Sequence, residues 1–140
     1  MKKLGLLILL FTSILTSCGS DDDTPNGNEQ NNSELIGKWV QISLSQNGET
    51  ITLTECEKRS TIEFDVQSYT EISIAPVNTD CQVDFEDNGT WQVNGDQLTL
   101  TYIEEGEEVV ETSSFKVVED TLTLNYAEEG FTEERSFKKS

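Results

Sequence analysis

The side chains able to do chemistry in this 140-residue chain are carboxylates, hydroxyls and three cysteines; histidine is absent. Without imidazole there is no Ser-His-Asp or Cys-His nucleophile and no His-ligated metal site. Paired carboxylates remain as a route to glycoside hydrolysis, which needs one protonated acid and one ionised partner across a cleft. The 27 Asp and Glu make such pairs easy to draw. Most of them, including Glu104, Glu105, Glu107, Glu108, Glu128, Glu129, Glu133 and Glu134, fall at turns or strand ends and read as solvated. Asp84-Phe85-Glu86-Asp87-Asn88-Gly89 opens like a calcium-binding loop, but position three is Glu86 and position twelve is Gly95, where a bidentate Glu is required. The expectation is therefore no enzyme, no metal and no cofactor. A formal charge of −18 excludes nucleic-acid binding, which is driven by cationic side chains displacing counterions from phosphates.

Cys18 is placed for a different chemistry. Lys2 and Lys3 precede a 12-residue, mostly apolar stretch, Leu4 to Leu15, shorter than the ~20 residues of a membrane-spanning helix. Residues 1–17 are expected to be a signal peptide. Leu15-Thr16-Ser17-Cys18 resembles the bacterial lipobox. That resemblance implies cleavage before Cys18, a diacylglycerol on its thiol and an acyl chain such as palmitate on its new amine. Each buried methylene contributes ~0.8 kcal/mol, so two or three chains hold stably. Residues 19–33 contain no hydrophobic residue and cannot repay the entropy of folding, which makes 18–33 a lipidated tether with a span of about 20 Å. Ser20-Asp21-Asp22-Asp23 resembles the acidic export signal of Gram-negative lipoproteins. It implies the outer face of the outer membrane, the alternative being a periplasm-facing lipoprotein. Cys56 and Cys81 are then left as an even pair in an oxidising compartment, and a disulfide between them is expected. Glu55 and Glu57 flank Cys56 and argue against a reactive thiolate.

The folded part, residues 34–140, alternates apolar and polar residues with period 2: Val40, Ile42, Leu44; Ile62, Phe64, Val66; Ile72, Ile74; Val83, Phe85; Trp91, Val93; Leu98, Leu100, Tyr102; Phe115, Val117; Leu122, Leu124, Tyr126. Phe131 and Phe137 bracket the last strand. This pattern predicts one buried and one wet face, hence an all-β, antiparallel barrel or sandwich of eight to ten short strands. Turns are expected at Asn47-Gly48, Asp87-Asn88-Gly89, Glu104 to Glu108 and Glu128-Glu129-Gly130. A type I′ hairpin centred on Asn94-Gly95 would set Trp91 opposite Leu98. Leu98-Thr99-Leu100-Thr101-Tyr102-Ile103-Glu104-Glu105-Gly106 recurs 24 residues later as Leu122-Thr123-Leu124-Asn125-Tyr126-Ala127-Glu128-Glu129-Gly130. Each copy follows an Asp, Asp96 or Asp120, and precedes a returning Phe-Lys strand. The second half is thus two hairpins on one plan, with their Leu and Tyr residues expected in the core.

Leu35-Ile36-Gly37-Lys38-Trp39, with Trp39 off the Val40-Ile42-Leu44 stripe, the Cys56/Cys81 pair, Gly89-Thr90-Trp91 and the Leu-Thr-Leu strands together resemble the lipocalin-like domain of small bacterial lipoproteins. The resemblance spans residues 34–140 and implies an up-and-down barrel of about eight strands, open at one end and often holding a small apolar ligand. It implies that Trp39 plugs the closed end, with Arg135 on the last strand packed over it. An inward set, Phe64, Trp91, Tyr102, Phe115 and Tyr126, would line any pocket. The chain lacks the Thr-Asp-Tyr loop motif and C-terminal helix of lipocalins proper, which weakens the ligand expectation more than the fold. The function read from the sequence is a lipid-anchored, non-enzymatic barrel of the outer membrane that binds a small apolar ligand. The alternative is an interaction module for a surface protein partner, steered by its acidic exterior.

Overall fold

The computed structural model describes residues 32–140; the expected signal peptide, Cys18 and most of the expected tether lie outside them. Nine strands form among the described residues: β1 (Gly37–Gln46), β2 (Glu49–Ile51), β3 (Thr61–Phe64), β4 (Ser68–Val77), β5 (Asp80–Asn94), β6 (Gln97–Glu104), β7 (Glu107–Val118), β8 (Thr121–Glu128) and β9 (Phe131–Lys139). All neighbours pair antiparallel, and β9 returns to pair with β1 over Trp39↔Lys139 to Gln46↔Glu133. Eight strands therefore close an up-and-down barrel. The three-residue β2 only folds back on the far half of β1, leaving the near half for β3. Closure removes the exposed edges that an open sheet would present.

The period-2 pattern correctly assigns the Leu strands to the interior. Leu98, Leu100, Leu122 and Leu124 are fully buried, as are Ile62, Phe64 and Phe137. Full burial of each such side chain contributes about 1.5–3 kcal/mol. On β1 the expected stripe is broken. A bulge between Gln41 and Ser43 turns Ile42 out to solvent, and the inward line becomes Trp39, Gln41, Leu44. A bulge adds a residue and so reverses facing beyond it. Val83 and Phe85 are also largely exposed, on a β4–β5 ribbon with its own register shift.

Two turn expectations are corrected. Asp87-Asn88-Gly89 is no turn but the middle of β5, with Gly89 paired to Tyr69 on one side and Tyr102 on the other. Glycine is needed there for room: a Cβ would lie 2.0 Å from the Thr101 carbonyl oxygen and 2.9 Å from the Tyr69 ring. The hairpin after Trp91 centres on Gly95-Asp96, with Gly95 alone at positive φ (66°), the pattern of a type II′ turn. Trp91 consequently faces Leu100, not Leu98. The two registers differ by two residues, so every side chain keeps its face. Positive φ at both central positions occurs instead at Asn47-Gly48, 50° and 80°, and at Glu105-Gly106, 51° and 88°.

Candidate functional site

The two ends of the barrel differ. At one end the chain enters through a 3₁₀ turn, Asn32–Glu34, and drops Leu35 into the core. Trp39, wholly buried, donates from Nε1 to the Leu35 carbonyl at 2.7 Å. Phe64 meets Trp91 edge to face at 5.4 Å, and Trp91 Nε1 donates to the Asp65 carbonyl at 2.8 Å. Both indoles thus find the acceptor that a buried N–H requires, and this end is filled. The cation over Trp39 is Lys139, with Nζ 5.0 Å from the ring centroid, not Arg135. Arg135 lies four residues, two repeats of the strand period, from Lys139 along β9: Trp39 pairs with Lys139, whereas Arg135 pairs with Leu44.

Arg135 instead builds the open end. Its Nη1 donates to Glu71 at 2.5 Å and its Nη2 to the Tyr126 hydroxyl at 2.8 Å, while Nε stands 3.3 Å from Glu133 Oε1. The guanidinium lies 4.8 Å from the Tyr126 ring centroid and 6.0 Å from that of Phe137. Burial alone would favour its neutral form, but Glu71, Tyr126 and Glu133 hold the guanidinium proton more tightly than usual. Opening around it is a cavity of about 380 Å³ lined by Glu71, Phe85, Asp87, Tyr102, Glu104, Glu111, Glu133 and Arg135. Arg135 and Glu133 also wall two smaller lobes of about 260 and 160 Å³.

The smaller lobe runs under a strap, residues 52–60. Leu53 is buried on the barrel side of the strap, and Leu53, Glu57 and Ser60 line the lobe. Three attachments fix the strap. Ser60 accepts at its carbonyl from Gln41 N and at Oγ from Ile74 N, each at 2.9 Å. Thr54 and Glu57 cap each other reciprocally, Thr54 N to Glu57 Oε2 at 2.6 Å and Glu57 N to Thr54 Oγ1 at 3.2 Å. The Cys56–Cys81 disulfide, Cα atoms 5.2 Å apart, ties the strap to the start of β5. The expected disulfide is thus formed, and its effect is to hold one wall of the open end.

The expected pocket set divides between the two ends. Phe64 and Trp91 belong to the filled end, and Phe115 packs half-buried against that core. Tyr102 and Tyr126 line the open cavity and its lobe. The apolar surface expected to receive a ligand is therefore occupied by the protein's own side chains, and the available space is polar. Burial, reinforced by Glu111 and Asp87, pushes the Tyr102 hydroxyl up to about 12; burial likewise raises Tyr126, against the pull of Arg135. Both phenols are neutral donors at physiological pH. Burial, with Glu71 and Asp87, also raises the Glu111 carboxyl above the ordinary carboxylate range, a shift that Arg135 partly opposes.

Sequence reasoning missed Glu71, Glu111 and Lys139, but the internal repeat carried a signal for one of them. Glu111 and Arg135 are separated by the same 24 residues as the Leu and Tyr copies. The structure makes them equivalent: Glu111 pairs with Leu100 and Arg135 with Leu124, each beside its tyrosine. The backbone repeats too, with Phe115 N donating to Asp96 O and Lys139 N to Asp120 O, both at 2.8 Å. One slot thus occurs twice, with opposite charge.

Charge is graded along the barrel axis. The half of the described chain nearer the plug holds 6 acids and 4 lysines, a net of −2; the half nearer the mouth holds 17 acids with Lys58, Arg59 and Arg135, a net of −14. A concave acidic mouth of this kind concentrates cations.

The comparisons agree with this architecture. An uncharacterised protein from Bacteroides eggerthii superposes with a TM-score of 0.55 at 13% identity, covering 76% of this chain and 99% of its own. A lipocalin-like protein from Bacteroides uniformis gives 0.52 at 14% identity, with the same coverage. Among curated proteins none matches the sequence. Residues 35–124, from the buried Leu35 to the last core leucine of β8, match the lipocalin-like domain, and the chain belongs to that family.

Proposed function

We propose that this protein is a lipid-anchored lipoprotein of the outer membrane, displayed at the cell surface, whose barrel holds a small ligand in its mouth and performs no catalysis. One observation carries the ligand reading: the barrel is plugged at one end and opens at the other onto a cavity of about 380 Å³ built around a buried, fixed arginine. That volume falls in the range of small-molecule sites, in which a few placed polar groups set orientation. The carboxylates and tyrosines of the wall suit a ligand with polar or charged groups in place of a purely apolar one. Anchoring rests on the Leu15-Thr16-Ser17-Cys18 motif and surface display on Ser20-Asp21-Asp22-Asp23.

Native mass spectrometry of the protein purified from its own membranes tests the binding role. One ligand mass per chain is expected, and polypeptide mass alone under conditions that retain non-covalent ligands refutes it. Protease treatment of intact cells tests the location: full protection of the barrel rules out surface display. The acidic mouth also favours a second reading, a docking module for a cationic protein partner. A single stoichiometric protein recovered from the native envelope, with an empty cavity, would favour that role over the first.

A further inference from the structure

The outer wall of this acidic barrel is basic in one place. Leu122, Leu124 and Phe137 point into the core, so their neighbours on β8 and β9 point out. The register then lines up one outward row across four strands, Val118, Thr121, Lys138 and Val40. Lys116 lies one outward step towards the mouth on β7, and Lys38 one outward step towards the plug on β1. In the plug half no outward position of β7, β8, β9 or β1 carries a carboxylate. Of the six acids there, Glu63 pairs across from Lys38 on β3, and the other five lie in turns and connections. Lys38, Lys116 and Lys138 are exposed, and among the described residues none of them forms an ion pair. The opposite wall of this half, on β4 and β5, presents Thr70, Thr90 and Gln92 and no cation. The chain enters at the same end: Asn32 is 14 residues on from Cys18, a reach of at most about 50 Å, and Leu35 seats in the core directly before β1.

We propose that this wall, from β7 round to β1 at the plugged end, is the face the barrel lays against the anionic headgroups of the membrane that holds its anchor, with the mouth turned away from lipid. The proposal rests on the lipid-anchored reading and adds which surface meets the bilayer. Each lysine close to an anionic leaflet is attracted to it, and the effect fades within a Debye length, about 8 Å at physiological salt. The eight residues of β8 cover about 20 Å of barrel height, at ~3.4 Å per residue and a tilt near 40°. The net −14 of the mouth half therefore lies largely beyond the range at which the headgroups repel it. With the mouth down, its carboxylates would meet those headgroups directly. Val118, 51% exposed, and the lysine stems add apolar contact at the boundary of the headgroups. This orientation leaves the cavity open to the medium.

Fluorescence quenching of the full-length protein on mixed phosphatidylcholine and phosphatidylglycerol vesicles tests the face, with a spin-labelled headgroup as quencher. A fluorophore is attached through Val118→Cys on the proposed face, Gln92→Cys on the opposite wall of the plug half, or Glu129→Cys at the mouth. Flotation with the vesicles reports the anchor separately. Quenching at the Val118 site should exceed that at the other two at least threefold. The excess should vanish when Lys38, Lys116 and Lys138 are all replaced by glutamine, and in 1 M salt, where the Debye length is about 3 Å. Equal quenching at the Val118 and Gln92 sites in protein that floats overturns the face and leaves the anchor reading standing, as does strongest quenching at the Glu129 site. An excess that survives the lysine replacement overturns it as well, because charge then does not orient the barrel. Protein that fails to float removes anchor and face together.

Discussion

Replacing Arg135 by methionine tests the construction of the open end most directly. Among the described residues the guanidinium is the one cation ion-paired with Glu71 and Glu133, with Glu71 only 8% exposed. Methionine keeps the stem volume and removes the charge, so Glu71 is left buried without a partner beside another carboxylate. Breaking such a pair from one side is worth about 3–5 kcal/mol. With a urea slope of about 1.5–2 kcal/mol/M for a domain of this size, the midpoint should fall by roughly 2 M. Trp39 and Trp91 lie in the core, so their fluorescence reports the transition. In a Glu71→Gln background the loss should be much smaller, because the more buried charge is gone and Glu133, though left without its cation, keeps the bond from Gln46. A deficit below 1 kcal/mol at pH 7, or one unchanged by Glu71→Gln, would refute the claim that the pair organises the mouth.

Replacing Cys56 and Cys81 by serine should lower stability by about 3.5 kcal/mol, the loop-closure value for their 25-residue separation; denaturation with and without reductant checks it, and equal midpoints would contradict it. Gly89→Ala should destabilise by more than the usual 1–3 kcal/mol of overpacking, because the new Cβ meets backbone oxygen at 2.0 Å; a thermal midpoint within a degree of wild type would mean that β5 and β6 are spaced differently. Glu111→Gln should raise the melting temperature at pH 7. Burial, Glu71 and Asp87 raise the Glu111 carboxyl in the fold, so its ionisation opposes folding as pH rises. The gain should vanish near pH 4, and a variant less stable than wild type at pH 7 would reverse the sign argument.

The leucine strands were legible because Leu-Thr-Leu alternation is a local signal and both copies are buried. Cys56 and Cys81 were legible from count and compartment alone. Trp39 was singled out for lying off the Val40-Ile42-Leu44 stripe, whereas the bulge after Gln41 makes Trp39, Gln41 and Leu44 the inward line and turns Ile42 out. The cation over Trp39 was assigned to the wrong residue of β9, since Arg135 and Lys139 lie on the same face and differ only in depth along the barrel. Phe64 and Trp91 were placed with Tyr102 and Tyr126 for the same reason: all four point inward.

By itself, then, the sequence determined the class of fold, the inward face of most strands and the disulfide, because each follows from composition or from a repeat of two residues. The tertiary structure alone decided which inward residues fill the plug and which line the mouth. Period 2 distinguishes inside from outside and carries no information about height. Height is set by register, by bulges at Gln41/Ser43 and Ser73/Ile74, and by where β9 closes on β1. Those long-range pairings bring Glu71, Glu111, Glu133 and Arg135, spread over 65 residues of chain, into one cavity wall.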